Sequence, residues 1–212
     1  MQRLLVLGSI VAGFAALSSA CLDQRAQLPF YADRSFAPSW SAVAHSVTSG
    51  AAADEAFVDQ TGAEFTLASL HGRLHVASFI FTRCGVLCPT LVSSLAKVQT
   101  ETADTDVLLL SYSVTPDVDT VEVLQAFGQE RKVDPQRWKL LTGNRQGVIR
   151  VAHDAYFADD DGLRASLAAP DAFLHTEKLL LIDQGGHIRG IYSGTHPFDV
   201  QKLIEDIRTL AG

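Results

Sequence analysis

Cysteine is scarce in this chain, with three in 212 residues, and that scarcity excludes a small scaffold stapled by disulfides. No run of lysine and arginine interleaved with aromatics occurs, and 17 basic against 24 acidic side chains leave the formal charge at -7. Nucleic acid is therefore excluded as a partner on electrostatic grounds. The longest apolar run, Leu4 to Leu17, falls short of the roughly 18 or more residues of a membrane-spanning helix. No internal repeat or low-complexity tract is visible.

What is present begins with an export pattern. A basic start at Arg3, the apolar run and the small residues Ser18-Ser19-Ala20 precede Cys21, which reads as a signal peptide over residues 1–20. Ser18 and Ala20 suit ordinary signal peptidase. Cys21 also resembles the lipid-modified cysteine of bacterial lipoproteins, although Leu17 stands one step too early for that pattern. The lipidation reading of Cys21 is preferred, because a free cysteine at the first mature position has no other evident purpose. Residues 21–53, with Pro29, Pro38 and Ser49-Gly50-Ala51-Ala52-Ala53, read as a tether or irregular leader, and 54–212 as one domain.

Within that domain Phe57 to Leu67 has two short apolar runs around Gly62, a hairpin pattern. Strands are expected at Leu74–Thr82, Val107–Val114, Trp138–Leu141, Leu179–Ile182 and Ile188–Tyr192. Helices are expected from Pro89 to about Thr100, Thr120–Arg131, Asn144 to about Tyr156, and Phe198–Leu210. Residues Phe157–Leu174 are acidic and irregular, with Asp159-Asp160-Asp161-Gly162. Strands alternating with helices until a closing hairpin and helix describe an α/β fold: a mixed sheet covered on both faces, with an N-terminal hairpin extension.

The most telling run is Phe81-Thr82-Arg83-Cys84-Gly85-Val86-Leu87-Cys88-Pro89, two thiols directly after an apolar strand. Thioredoxin-type dithiols are separated by two residues; these are separated by three, which on a helix puts both on one side. Cβ atoms so placed lie roughly 5–6 Å apart, wider than the roughly 3.5–4.5 Å of a relaxed disulfide. A metal clip spans that gap, and a disulfide needs the first cysteine in a flexible turn. Pro89 suits a first helical turn, so Cys88 stands at a helix start, where unpaired N–H groups favour its thiolate. Arg83 either adds positive charge beside Cys84 or is solvated.

Two thiolates can hold Cu(I), while Cu(II) or zinc wants a nitrogen or oxygen donor too. Among the histidines, His71 and His187 lie in turns, His75 begins a strand, His153 sits among polar helix neighbours and His196 precedes Pro197. Each is most simply structural or superficial. His175 differs, because it directly precedes the last strand pair.

At this point the chain resembles the Sco/SenC copper chaperones, which mature cytochrome oxidase. The resemblance runs from Leu28-Pro29-Phe30-Tyr31 to the C-terminal helix. It rests on Phe81-Thr82-x-Cys84-x-x-x-Cys88-Pro89-x-Leu91, Ser113-Val114-Thr115-Pro116-Asp117-x-Asp119-Thr120, Leu141-Thr142-Gly143, and His175 with Asp183-x-x-Gly186. It implies a thioredoxin-like fold, a periplasmic location, copper as Cu(I) or Cu(II) held by Cys84, Cys88 and His175, and an oxidase subunit as acceptor. The chain departs from the family in carrying Gly85-Val86-Leu87 where Pro-Asp-Val is usual, and Leu174 where an acidic residue often stands.

Two functions remain open on this reading. One is a copper-delivery protein, attached to the inner membrane through Cys21. The other is a thiol-disulfide oxidoreductase using Cys84 and Cys88 as a redox pair, recharged by a thiol reductant. A module with a static disulfide and a zinc site are blander alternatives.

Overall fold

The computed structural model describes residues 28–83, 87–158 and 176–212, with Leu87 and Cys88 described in backbone only. Residues 1–27, including the export segment and Cys21, lie outside the described residues, as do Cys84 and His175.

Among the described residues nine strands form one sheet: β1 (Phe30–Tyr31), β2 (Pro38–Ser39), β3 (Phe57–Asp59), β4 (Glu64–Phe65), β5 (His75–Ile80), β6 (Leu108–Ser113), β7 (Trp138–Gly143), β8 (Lys178–Ile182) and β9 (Ile188–Ser193). Their spatial order is β2-β1-β9-β8-β5-β6-β7-β3-β4. The pairs β5/β6 and β6/β7 are parallel and the other pairs antiparallel. Among the described residues four α-helices accompany the sheet: α1 (Leu87–Glu101), α2 (Val121–Glu130), α3 (Arg145–Arg150) and α4 (Pro197–Ala211).

The two central strands are buried at every position, as a sheet covered on both faces requires. Alternation then assigns their side chains. Val76 and Ile80 of β5 face a layer made with Leu91, Leu95 and Val98 of α1, Leu124 of α2, and Leu203, Ile204 and Ile207 of α4. Ala77 and Phe79 face the other layer, with Tyr112, Tyr156, Val148 and Val151. Polar groups inside the first layer are matched: the Trp138 indole N–H donates to Ser111 Oγ at 2.9 Å, and Ser111 and Ser78 hydroxyls meet at 2.8 Å.

Local chemistry sets the helix starts. Thr120 caps α2 by accepting from the Val123 N–H, and Asn144 caps α3 by accepting from Gln146 and Gly147. Pro197 opens α4, where its missing N–H costs nothing. The helix expected from Asn144 changes character: α3 ends at Arg150 and passes into a single π turn, Val151–Ala155.

The leader differs from its sequence reading. Residues from Leu28 onward carry β1 and β2, and β1 joins the sheet through Tyr31 opposite Ile188. Arg189 holds it there: Nε donates to the Pro29 carbonyl at 3.0 Å, Nη1 to Asp183 at 2.9 Å, and the guanidinium lies 3.9 Å from the Phe30 ring centroid. Val47 is fully buried, with its N–H on the Gly186 carbonyl at 2.9 Å. Strands of two residues leave no periodicity to detect, and their anchor lies more than 150 positions away in the chain.

Candidate metal centre

The strand that leads to the dithiol is β5, and its exit is tied down by one buried carboxylate. Asp119 is fully buried. It accepts from Thr82 Oγ1 at 2.5 Å, Ser113 Oγ at 2.6 Å and Thr115 Oγ1 at 3.2 Å, with the Thr82 N–H at 3.4 Å. A buried carboxylate is tolerable only with such a set of donors, and bonds to an ionised acceptor are about twice as strong as neutral ones. The consequence is positional, since Thr82 stands two residues before Cys84. Two sequence motifs, Phe81-Thr82 and Ser113-x-Thr115-x-x-x-Asp119, therefore meet in space at one side chain.

Helix α1 begins at Leu87, which puts Cys88 second in the helix, in the turn whose N–H groups lack intrahelical acceptors. Pro89 is third, where proline is tolerated. Arg83 is exposed.

The β5/β8 register is antiparallel, with His75 opposite Ile182 and Ala77 opposite Leu180. β8 thus starts, at Lys178, on the sheet edge where β5 ends. The approach to β8 is fixed by Glu177, whose carbonyl accepts from the Gly194 N–H at 2.8 Å and whose carboxylate accepts from Ser193 Oγ at 3.1 Å. Three features share this edge: Thr82 with its Asp119 clamp, the start of α1, and Thr176, the residue bonded to His175.

The other histidines singled out in the sequence are not brought there. His75 is wholly buried, its Nδ1 3.1 Å from the Arg73 carbonyl and its Nε2 3.3 Å from the Tyr156 hydroxyl. Burial drives its pKa down to about 4, so it is a neutral core residue. His187 pairs with Asp183 at 3.2 Å in the last hairpin turn, His153 with Asp154 at 2.6 Å, and His196 precedes α4 on the surface. His71 is exposed in a turn. Among the described residues no three His, Cys, Asp or Glu side chains gather closely enough to hold a metal ion. None of the helices there is long and apolar enough to cross a membrane.

Two long-range contacts escaped the sequence reading. Asp119 was visible within a motif, but nothing local marks it as the partner of Thr82, 37 positions away. His45, in the leader, carried no signal at all.

The sequence model of the SCO1/SenC family matches residues 48–212. A SCO1/SenC family lipoprotein from Bacillus anthracis has 31% identity and a TM-score of 0.64, over 74% of this chain and 93% of that one. BsSco, described as a member of the Sco family of cytochrome c oxidase assembly proteins with a disulfide switch, has 24% identity and a TM-score of 0.62 over 74% and 91%. ScoI of Arabidopsis thaliana, solved with copper bound, has 22% identity and a TM-score of 0.55 over 72% and 95%, a likeness of fold. The mixed sheet flanked by helices is the thioredoxin-like fold of these relatives. The chain belongs to the SCO1/SenC family.

Proposed function

We propose that this protein is an exported copper-delivery protein whose ion is held by Cys84, Cys88 and His175 and passed to a copper centre of cytochrome oxidase. The observation that supports it most is the convergence at one sheet edge of the clamped β5 exit, the start of α1 and the entry to β8. Those three stretches lead into Cys84, contain Cys88 and follow His175. Two soft thiolates suit Cu(I), and an added imidazole suits Cu(II). An acceptor whose own ligands replace these one at a time would draw the ion away without a free intermediate.

On this reading residues 1–20 are a cleaved signal, Cys21 carries a lipid that holds the protein at the membrane facing the periplasm, and 54–212 bears the copper site. The Bacillus anthracis relative, itself a lipoprotein, supports the anchor.

A second reading is favoured by the disulfide switch described for BsSco. The thiolate of one cysteine attacks a partner's disulfide, and the other then displaces the partner from the mixed disulfide. The partner leaves as a dithiol, this chain keeps the Cys84–Cys88 disulfide, and a thiol reductant must restore it.

The test is copper titration of the reduced full chain without oxygen, with Cys84→Ser, Cys88→Ser and His175→Ala alongside. One copper per chain and, for Cu(II), a sulfur-to-copper charge-transfer band are expected. Absence of the band, or its persistence in Cys88→Ser, overturns the assignment.

A further inference from the structure

We infer that the end of the sheet carrying Trp40 and Phe198 is the face by which the domain lies against the phospholipid bilayer; this depends on the reading of Cys21 as the lipidated residue. Among the described residues these two are the large hydrophobic side chains left open to solvent, Trp40 at 66% and Phe198 at 72% exposure. A single exposed apolar side chain is ordinary, so the weight falls on where these two stand.

Strand directions put both at one end. β1 is antiparallel to β9, β9 to β8 and β8 to β5, so the start of β1 lies where β5 and β9 finish. The β1/β2 register pairs Phe30 with Ser39. Pro29 and Trp40 each stand one residue beyond that pair, at the open end of the hairpin. β9 finishes at Ser193, and α4 opens at Pro197 with Phe198 in its first turn. A flat partner laid across that end can meet both rings.

The tether leaves from the same end. Arg189 Nη2 donates to the Leu28 carbonyl at 2.5 Å and Nε to the Pro29 carbonyl at 3.0 Å, which fixes the point of departure to β9. Leu28 stands seven residues after Cys21, a span of at most about 25 Å. A lipid on Cys21 therefore keeps this end of the sheet within that distance of the bilayer.

The charge pattern suits the same occupant. In a chain of formal charge -7, the stretch from Phe36 to Ala53 holds no Asp, Glu, Lys or Arg, and Ala37, Pro38, Ser41, Ala42 and Ala44 are exposed with Trp40. Its one titratable group, His45, is turned to the Ala155 carbonyl, 2.8 Å from Nε2. The charged leader residues Asp33 and Arg34 lie in the turn at the other end of the hairpin, the first bonded to Ser35 and the second to the His153 carbonyl. Beside Phe198 the carboxylates of Asp199 and Glu177 are engaged, by the Ser193 N–H and by the Ser193 and Thr195 hydroxyls. Anionic lipids repel an acidic surface, whereas an uncharged one bearing tryptophan suits the headgroup level, where the amphipathic indole settles. The lipid supplies attachment. Trp40 and Phe198 supply orientation, turning the end at which β5 finishes toward the membrane.

The experiment places the mature full chain, lipidated in cells, in vesicles of phosphatidylethanolamine and phosphatidylglycerol. Mass spectrometry of the N-terminal peptide reads the lipid, and tryptophan emission is compared with and without lipids brominated in the upper acyl chain. Trp138 is wholly buried, so quenching by bromolipid reports Trp40. Its emission is expected to shift to the blue, to lose most of its intensity to bromolipid and to become insensitive to iodide in the water. Trp40→Ala leaves only the Trp138 signal, unchanged by bromolipid. Phe198→Ala and Ala42→Glu, both at exposed positions, reduce the quenching of Trp40, and Ala42→Lys does not. A lipidated chain whose Trp40 stays open to iodide and unquenched by bromolipid overturns the inference and leaves the anchor standing. Shielding from iodide without bromolipid quenching also overturns it, and gives the face to a protein, either a second copy on the open β2 edge or an acceptor. A mature chain with no lipid on Cys21 overturns the anchor reading and the inference with it.

Discussion

The Thr82 hydroxyl donates to the Asp119 carboxylate at 2.5 Å, joining the exit of β5 to the turn before α2. The same carboxylate serves Ser113 and Thr115, so the connection is a hub of three hydroxyls on one buried anion. Asp119→Ala leaves those hydroxyls without their acceptor and is expected to cost about 3 kcal/mol of stability, the scale for buried charge-assisted bonds. Thr82→Val removes one of them and should cost less than half as much, while Thr82→Ser should be near wild type. Urea unfolding of the reduced protein measures all three. An Asp119→Ala variant as stable as Thr82→Val would show that the hub is not shared.

His75 supplies a pH dependence. Its folded pKa is about 4 against an ordinary 6.5, chiefly because burial disfavours the imidazolium. Below pH 6.5 the unfolded chain takes up a proton that the folded protein refuses, so this residue's contribution to stability is whole above 6.5 and is lost as pH falls toward 4. The loss is on the order of 3 kcal/mol, at about 1.4 kcal/mol per pH unit. His75→Phe should flatten the stability curve across that window. Parallel curves for variant and wild type would mean the buried histidine does not titrate this way.

The cap of α3 gives a smaller, local prediction. Asn144 Oδ1 accepts from the N–H groups of Gln146 and Gly147 at 2.9 and 3.3 Å, and Asn144→Ala should cost about 1 kcal/mol, with Asn144→Ser close to wild type. Thermal unfolding resolves the difference.

How much of this was legible in the sequence varies with the range of the interactions. Strands β5 and β6 and helices α2 and α4 declared themselves, because six buried positions in a row or a repeating apolar face are properties of the segment. Thr120 and Asn144 were readable as helix starts because capping is local chemistry. The two-residue strands β1 and β2 were not, since only Arg189 and the hairpin edge make them strands. The π turn was hidden for the same reason: it is stabilised by what packs on Val151 and Tyr156, not by its own residue types. At the site, the Cys84 and Cys88 spacing announced chemistry, whereas the Thr82–Asp119 clamp is a meeting of two distant stretches.

The spacer is where this chain leaves its family's usual pattern. Restoring proline and aspartate at Gly85 and Val86 restricts the backbone between the cysteines and adds negative charge beside the thiols. Slower closure of a Cys84–Cys88 disulfide and a higher thiol pKa are expected, with copper stoichiometry unchanged because no ligand moves. Stopped-flow oxidation with thiol titration checks it. Equal rates and equal pKa values would remove the case for a redox role arising from Gly85.

Whether Cys84, Cys88 and His175 form one copper site is decided by X-ray absorption on the copper-loaded full chain. Two sulfur scatterers and an imidazole nitrogen are expected around Cu(II), with the imidazole signature gone in His175→Ala and one sulfur gone in Cys88→Ser. A copper shell of oxygen and nitrogen alone, or one unchanged by both substitutions, would contradict it.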